Sequence, residues 1–288
     1  VEETEKTVGC VGLGNMGSVL AANLVHTGHR VVTHDALGPA RSPAGAIHVP
    51  SVAEVARRAD VVVLSLPDGA VSEKVAREVL AAAARRVRCV VDTSTIGVSA
   101  ARAVAALLAE EGIGHVDAPV SGGVAGARAR TLTVMYAGTD EACSGAEGVL
   151  AGLSDRRHRV GERPGMAQAL KLANNFLSAV TLAATSEAVA FGLSAGLDMA
   201  TMLDVLNGSS GRSAATDDKF PRHVVTGRYA AGFTNSLMAK DIRLYLREAG
   251  EKGGPVAIGQ VTAALWERFA AAEPGVDFTR IFPFTEAS

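Results

Sequence analysis

For about 160 residues this chain alternates short apolar runs with helix-patterned stretches, and then the alternation stops. The runs at 8–12, 30–34, 60–66, 88–92, 113–117 and 131–137 read as strands, and most are nearly continuous hydrophobic segments, as strands buried on both faces must be. Between them, 15–27, 51–58, 69–84, 97–111 and 140–152 carry helical patterns. Strand–helix alternation implies a largely parallel sheet covered on both faces, and right-handed crossovers make that sheet doubly wound, of the nucleotide-binding type.

The pattern changes at Gly161-Glu162-Arg163-Pro164-Gly165, after which no strand is evident. Residues 166–193 predict one long helix of roughly 40 Å, enough to link two domains. Further helices are expected at 198–207, 235–250 and 255–272, separated by glycine-rich breaks. The expected organisation is therefore an N-terminal doubly wound α/β domain over 1–163 and an all-helical domain over 164–288. Aromatic residues make up only 4% of the chain, so the core must rest mostly on Ala, Val and Leu.

The first strand runs into Gly12-Leu13-Gly14-Asn15-Met16-Gly17, which opens a helix. In such a loop the first glycine permits the tight turn, the second lets the backbone approach a pyrophosphate, and the third lets helix and strand pack closely. Free N–H groups and a positive dipole at the helix start favour the phosphates. Asp35 ends the second apolar run, 18 residues past Gly17, close to the spacing of about 20 at which a carboxylate meets the adenine ribose hydroxyls. It would repel a 2′-phosphate, so NAD is expected over NADP. Arg41 is near enough to leave NADP possible.

Four more motifs carry a resemblance: Leu66-Pro67-Asp68, Asp92-Thr93-Ser94-Thr95-Ile96, Asp117-Ala118-Pro119-Val120-Ser121-Gly122-Gly123, and Gly165 through Lys171 to Asn175. With the late Lys240-Asp241 pair they resemble, in order and over nearly the whole length, the β-hydroxyacid dehydrogenase family, which includes 3-hydroxyisobutyrate dehydrogenase and tartronate semialdehyde reductase. The resemblance implies a Rossmann-type cofactor domain. It implies an enzyme that moves a hydride between nicotinamide and a small hydroxy acid or its semialdehyde or keto form. Leu66, Pro67 and Thr95 would lie against the cofactor, and Lys240 would approach from the second domain. Ser121, Gly122 and Gly123 would bind the substrate carboxylate, with Phe233 covering the substrate. Lys171 would be the acid–base group, with Asn175 one turn later on the same helix face. The chain departs from the family at Arg130, where glycine is usual, and at Ala167, which replaces a glycine that often precedes the lysine.

Other chemistries find less in the sequence. A net charge of −2 argues against nucleic acid. The charged start VEETEKT is unlike a signal peptide, and residues 176–193 contain too many polar groups for a convincing membrane span. Cys10, Cys89 and Cys143 lie far apart, which suits a reducing cytoplasm. His26 and His29 are a close pair without a Cys or carboxylate cluster, so no metal centre is expected. Imine reductase-like and 6-phosphogluconate dehydrogenase-like activities, or a silent cofactor-binding scaffold, are the alternatives; Lys171 argues against the first and last, and chain length against the second. A homodimer or homotetramer is expected. Arg212, in Ser209-Ser210-Gly211-Arg212-Ser213, is either free to bind a second acidic group of the substrate or paired with Asp217 or Asp218.

Overall fold

The computed structural model describes residues 6–287; the first five residues of the polar N-terminal segment lie outside the described residues. The chain divides into two compact units, with the break between Lys171 and Leu172.

The first unit is built on nine strands: β1 Thr7–Val11, β2 Arg30–His34, β3 Ile47–His48, β4 Val61–Leu64, β5 Cys89–Asp92, β6 Gly114–Asp117, β7 Val120–Ser121, β8 Thr133–Ala137 and β9 Arg156–Gly161. Their order is β3-β2-β1-β4-β5-β6-β8-β7, with β9 on β8. The first six run parallel, while β8 is antiparallel to β6 and β7. Six helices alternate with the strands: α1 Gly17–His26, α2 Val52–Arg58, α3 Gly69–Ala81, α4 Val98–Ala109, α5 Gly123–Arg128 and α6 Asp140–Leu153. Strand parity explains the layering. Val8, Cys10, Val61, Val63 and Val91 face one way, onto α1 and α6. Val11, Val62, Leu64 and Val90 face the other way, onto α2, α3 and α4.

Three strands escape the sequence pattern. β3 and β7 are two residues each. β9 has the sequence Arg-Arg-His-Arg-Val-Gly, which reads as a polar loop. It pairs with β8, and Arg157 and Arg159 bond Glu147 and Asp140 of α6. Charge on a strand with an open edge discourages pairing with another chain.

The long helix α7, Met166–Ser194, begins in the first unit and continues into the second. By length and composition it is apolar enough to cross a membrane, which the shorter stretch 176–193 did not suggest; 39% of its most apolar window is buried inside the protein. The second unit adds α8 Met199–Asn207, a π-helix Ala215–Val224, α9 Asn235–Glu251, α10 Ala257–Ala272, a 3-10 turn Phe278–Arg280 and α11 Ile281–Glu286. The π-helix contains Pro221, and neither it nor α11 is evident from the sequence pattern. The core of this unit gathers around Trp266, Phe220 and Phe269, all fully buried.

Candidate active site

The strand order places β1 beside β4 and sends the chain in opposite directions on either side of them, which is where ligands bind in open α/β sheets. The glycine loop follows β1 at that point. Gly12 has φ +89°, and a Cβ there would collide with the Ser65 carbonyl oxygen; one on Gly17 would collide with the Gly12 carbonyl. At Gly14 a Cβ would meet nothing within 4 Å. So the first and third glycines are fixed by the protein itself. The second leaves an open approach, which fits a pyrophosphate against the loop and the start of α1.

Asp35 follows β2. Its Oδ2 accepts from the Leu13 N–H at 2.6 Å and its Oδ1 from the Leu37 N–H at 2.8 Å, so the carboxylate is held against the glycine loop. Arg41 donates to Asn15 Oδ1 at 3.2 Å, which puts a guanidinium at the tip of the same loop. Met16 is half-buried on the α1 side of the sheet. Beyond β4, the Leu66 N–H donates to Ser94 Oγ at 2.8 Å, and exposed Pro67 leads to Asp68, which caps α3 through Val71. Thr95, half-buried, follows β5.

Ser121 ends β7, and Gly122 and Gly123 turn the chain with φ of +131° and +66°. Successive left-handed positions point backbone N–H groups toward a common spot, an arrangement suited to a carboxylate. Gln168, which the sequence reasoning missed, holds the start of α7. Its Oε1 accepts from the Ile96 and Gly97 N–H groups at 3.0 and 3.2 Å, and its Nε2 donates to the Ser94 carbonyl at 3.0 Å. The Gln168 N–H donates to Asp117 Oδ2 at 3.1 Å. Burial pushes the Asp117 carboxyl up to about 6, against the lowering effect of backbone N–H groups at the helix start. Lys171 comes one turn later and is buried. Ala167 is fully buried against Met135 and Ala137.

In the second unit, the Asn175 side-chain amide donates to Asp241 Oδ2 at 2.6 Å, and its Oδ1 accepts from Asn174 at 3.1 Å. Lys240 Nζ lies 3.1 Å from Asp241 Oδ1, so Asp241, inside α9, anchors both side chains. Phe233 packs edge-on against Phe278 at 5.7 Å. Arg212 is paired with Asp217 at 3.1 Å on the surface, and so has the second of its two expected fates. Arg130 adopts φ +56°, in the left-handed region that favours glycine, and its guanidinium reaches the Ala151 carbonyl at 3.4 Å. His29 bonds the Gly148 carbonyl at 3.2 Å across the α1 terminus. Among the described residues, no three His, Cys, Asp or Glu are grouped to hold a metal.

The sequence signal for Gln168 was its spacing. Gln168, Lys171 and Asn175 stand at i, i+3 and i+7, on one face of the first turns of α7, and all three are buried.

Two family models cover the chain. One is described as the NAD binding domain of 6-phosphogluconate dehydrogenase and matches residues 7–161; the other, NAD-binding of NADP-dependent 3-hydroxyisobutyrate dehydrogenase, matches 165–284. A probable 3-hydroxyisobutyrate dehydrogenase of Mycobacterium tuberculosis is 36% identical over 284 residues, 96% of each chain. A 2-(hydroxymethyl)glutarate dehydrogenase of Eubacterium barkeri is 33% identical, covering 90% of this chain and 88% of its own. The solved structure of Mycobacterium tuberculosis 3-hydroxyisobutyrate dehydrogenase with L-serine superposes with a TM-score of 0.90 at 32% identity, over 98% of this chain and 99% of that one. These matches run over nearly the whole chain, and the chain belongs to the β-hydroxyacid dehydrogenase family as a nicotinamide-dependent oxidoreductase of hydroxy acids.

Proposed function

We propose that the protein oxidises a small β-hydroxy acid of the 3-hydroxyisobutyrate or serine class with NAD, and that Lys171 is its acid–base group. The observation that carries this reading is the buried polar stripe Gln168, Lys171, Asn175 on α7. When bound, the nicotinamide supplies the hydride acceptor. Lys171, as the neutral amine, takes the hydroxyl proton; in the reverse direction its ammonium donates to the developing alkoxide. Asn175, fixed by Asp241, orients the substrate hydroxyl or the lysine. Ser121, Gly122 and Gly123 hold the carboxylate, and Phe233 covers the apolar part of the substrate. Gly12 to Gly17 with Leu13, Asn15 and Met16 take the pyrophosphate; Leu66, Pro67, Thr95 and Lys240 complete the cofactor site. Residues 1–163 serve as the cofactor domain and 164–288 as the substrate and oligomerisation domain.

The NAD preference rests on Asp35, whose charge at the ribose end repels a 2′-phosphate. A homodimer or homotetramer follows from Leu170, Leu177 and Phe191, which are 43%, 60% and 76% exposed at multiples of seven residues along α7. The working compartment is the cytoplasm.

Absorbance at 340 nm across 3-hydroxyisobutyrate, L-serine, 6-phosphogluconate and a cyclic imine tests the substrate class. Lys171→Ala is expected to lower kcat by at least about 100-fold while NADH binding persists. Turnover like the wild type in that variant overturns the lysine assignment. A higher kcat/KM with NADP than with NAD overturns the role of Asp35 and points to Arg41.

A further inference from the structure

The Gln168 side chain is fully buried and spends its hydrogen bonds on one short loop. A glutamine amide offers two donor hydrogens and two acceptor lone pairs. Here the oxygen takes the N–H groups of Ile96 and Gly97, and the nitrogen gives to the carbonyl of Ser94. These three backbone groups bracket Thr95. Through its own N–H, Gln168 is also tied to Asp117 at the end of β6. Four bonds therefore lock the first turn of α7 to the ends of two neighbouring strands. Lys171 lies three residues further along the same face, about 4.5 Å up the helix axis.

We propose that Gln168 is a positioning residue, which sets the distance between the Thr95 loop and the Lys171 amine and so the alignment of substrate hydroxyl and nicotinamide. This rests on the roles given above to Lys171 and Thr95. Removing the amide leaves two buried N–H groups and a carbonyl without partners, and the loop must move to find others. A displacement of about 1 Å at a reacting centre costs about 100-fold in rate.

Gln168→Met keeps much of the volume and removes every side-chain hydrogen bond. It is expected to lower the single-turnover rate of NADH formation by about 10- to 100-fold; the Kd for NADH weakens too, because Thr95 belongs to the cofactor site, but by less than the rate falls, because the pyrophosphate loop is untouched. Gln168→Glu supplies the rescue. Its protonated carboxyl can both accept from Ile96 and Gly97 and donate to Ser94, so its rate relative to wild type should rise as pH falls. A residue that served stability alone would lower Tm and leave the single-turnover rate and the pH dependence of that ratio as in the wild type; that result overturns the proposal. If Gln168→Met fails to fold, the Gln168→Glu profile decides. Lys171→Ala separates this proposal from the one beneath it. Loss of turnover there beside a wild-type rate in Gln168→Met rejects the positioning role only, whereas full turnover in Lys171→Ala rejects both.

Discussion

The two units solve the packing problem with different residues. Tyr136 is the single Phe, Trp or Tyr of the first unit among the described residues; the other aromatics all lie beyond Lys171. The first unit packs valine-rich strands between helices whose inner faces are Ala, Val and Leu, in one layer on each side of the sheet. β-branched side chains suit the pleated surface, and small helix residues allow close approach. Among the described residues the second unit has no sheet, and its core is an aromatic interlock. Trp266 sits 5.9 Å from Phe269 and 6.3 Å from Phe278, and Phe220 meets Phe282 edge-on at 5.5 Å. The difference bears on function. Close layers bring backbone N–H groups at strand ends within reach of a ligand, so the cofactor recognition proposed for the first unit rests largely on glycine and main chain. In the second unit the proposed site residues are side chains held by another side chain, as Asp241 holds Asn175 and Lys240.

If the cores differ in this way, deletions in them should differ in cost. Phe269→Ala is expected to destabilise by about 3–5 kcal/mol, the usual range for a fully buried aromatic. Val62→Ala, which removes two methyl groups from the first unit, should cost roughly 2 kcal/mol. The single tryptophan, Trp266, is buried in the second unit, so its fluorescence in a urea titration follows the first variant directly, and far-UV circular dichroism follows the second. Equal costs would show that the aromatic core is no more tightly interlocked than the aliphatic one.

The same contrast explains what was legible in advance. Strand β2 and helix α7 stand almost residue for residue where the apolar pattern puts them, because each carries its pattern unbroken from end to end. β9 was hidden because its arginines satisfy their charge on α6 rather than in water alone. The π-helix was hidden because Pro221 and a run of charged residues read as a break, while Phe220 and Val224 anchor it in the core. In the candidate site, the glycine loop was legible from its own spacing and Asp35 from its place directly after the second apolar run. Gln168 was not singled out, because its partners are 71 to 74 residues away. The fate of Arg212 was equally unreadable, since either Asp217 or open solvent was within its reach.

Two buried titratable groups of the first unit respond to pH in opposite senses. Asp117 and His115 are neighbours on β6, two residues apart, and both are buried. Burial pushes Asp117 up to about 6 and His115 down to about 4. The raised acid favours folding in its protonated form, so its contribution is full below its ordinary 3.8 and is lost as pH rises through 6. The lowered histidine favours folding while neutral, so its contribution is full above 6.5 and is lost as pH falls toward 4. Each is worth about 3 kcal/mol, and between pH 4 and 6 they oppose one another. Asp198 in the second unit runs the other way from Asp117, being held below the usual carboxylate range by the Thr201 backbone and hydroxyl. Asp117→Asn keeps an oxygen for the Gln168 N–H and removes the buried charge. It should be about 1–3 kcal/mol more stable than wild type at pH 7.5, after allowance for the new amide's unpaired hydrogens. It should then lose stability down to pH 4.5 more steeply than wild type, as His115 is left unopposed. Urea titrations at the two pH values check this; a variant less stable at pH 7.5 would mean that the carboxylate's attraction to the α7 terminus outweighs its burial.

The smallest expected effect makes the most direct comparison, because the same backbone strain occurs in both units. Arg130 in the first and Tyr229 in the second hold φ of +56° and +43°, and Ala84, exposed in the first, holds +55°. A left-handed conformation costs a non-glycine residue about 1–2 kcal/mol, and glycine returns part of that as extra freedom in the unfolded chain. Ala84→Gly should therefore stabilise by no more than about 1 kcal/mol and give the bare backbone effect. Arg130→Gly should gain nearly as much, since the Ala151 bond it gives up is long at 3.4 Å. Tyr229→Gly should instead destabilise. Its ring packs against the aromatic core and lies 5.6 Å from the Arg280 guanidinium, and losing that burial outweighs the relief of strain. Three chemical denaturation curves at one pH decide the matter. A gain in Tyr229→Gly equal to that in Ala84→Gly would mean that the ring adds nothing to the helical core, and that the second unit relies on its side chains less than its packing implies.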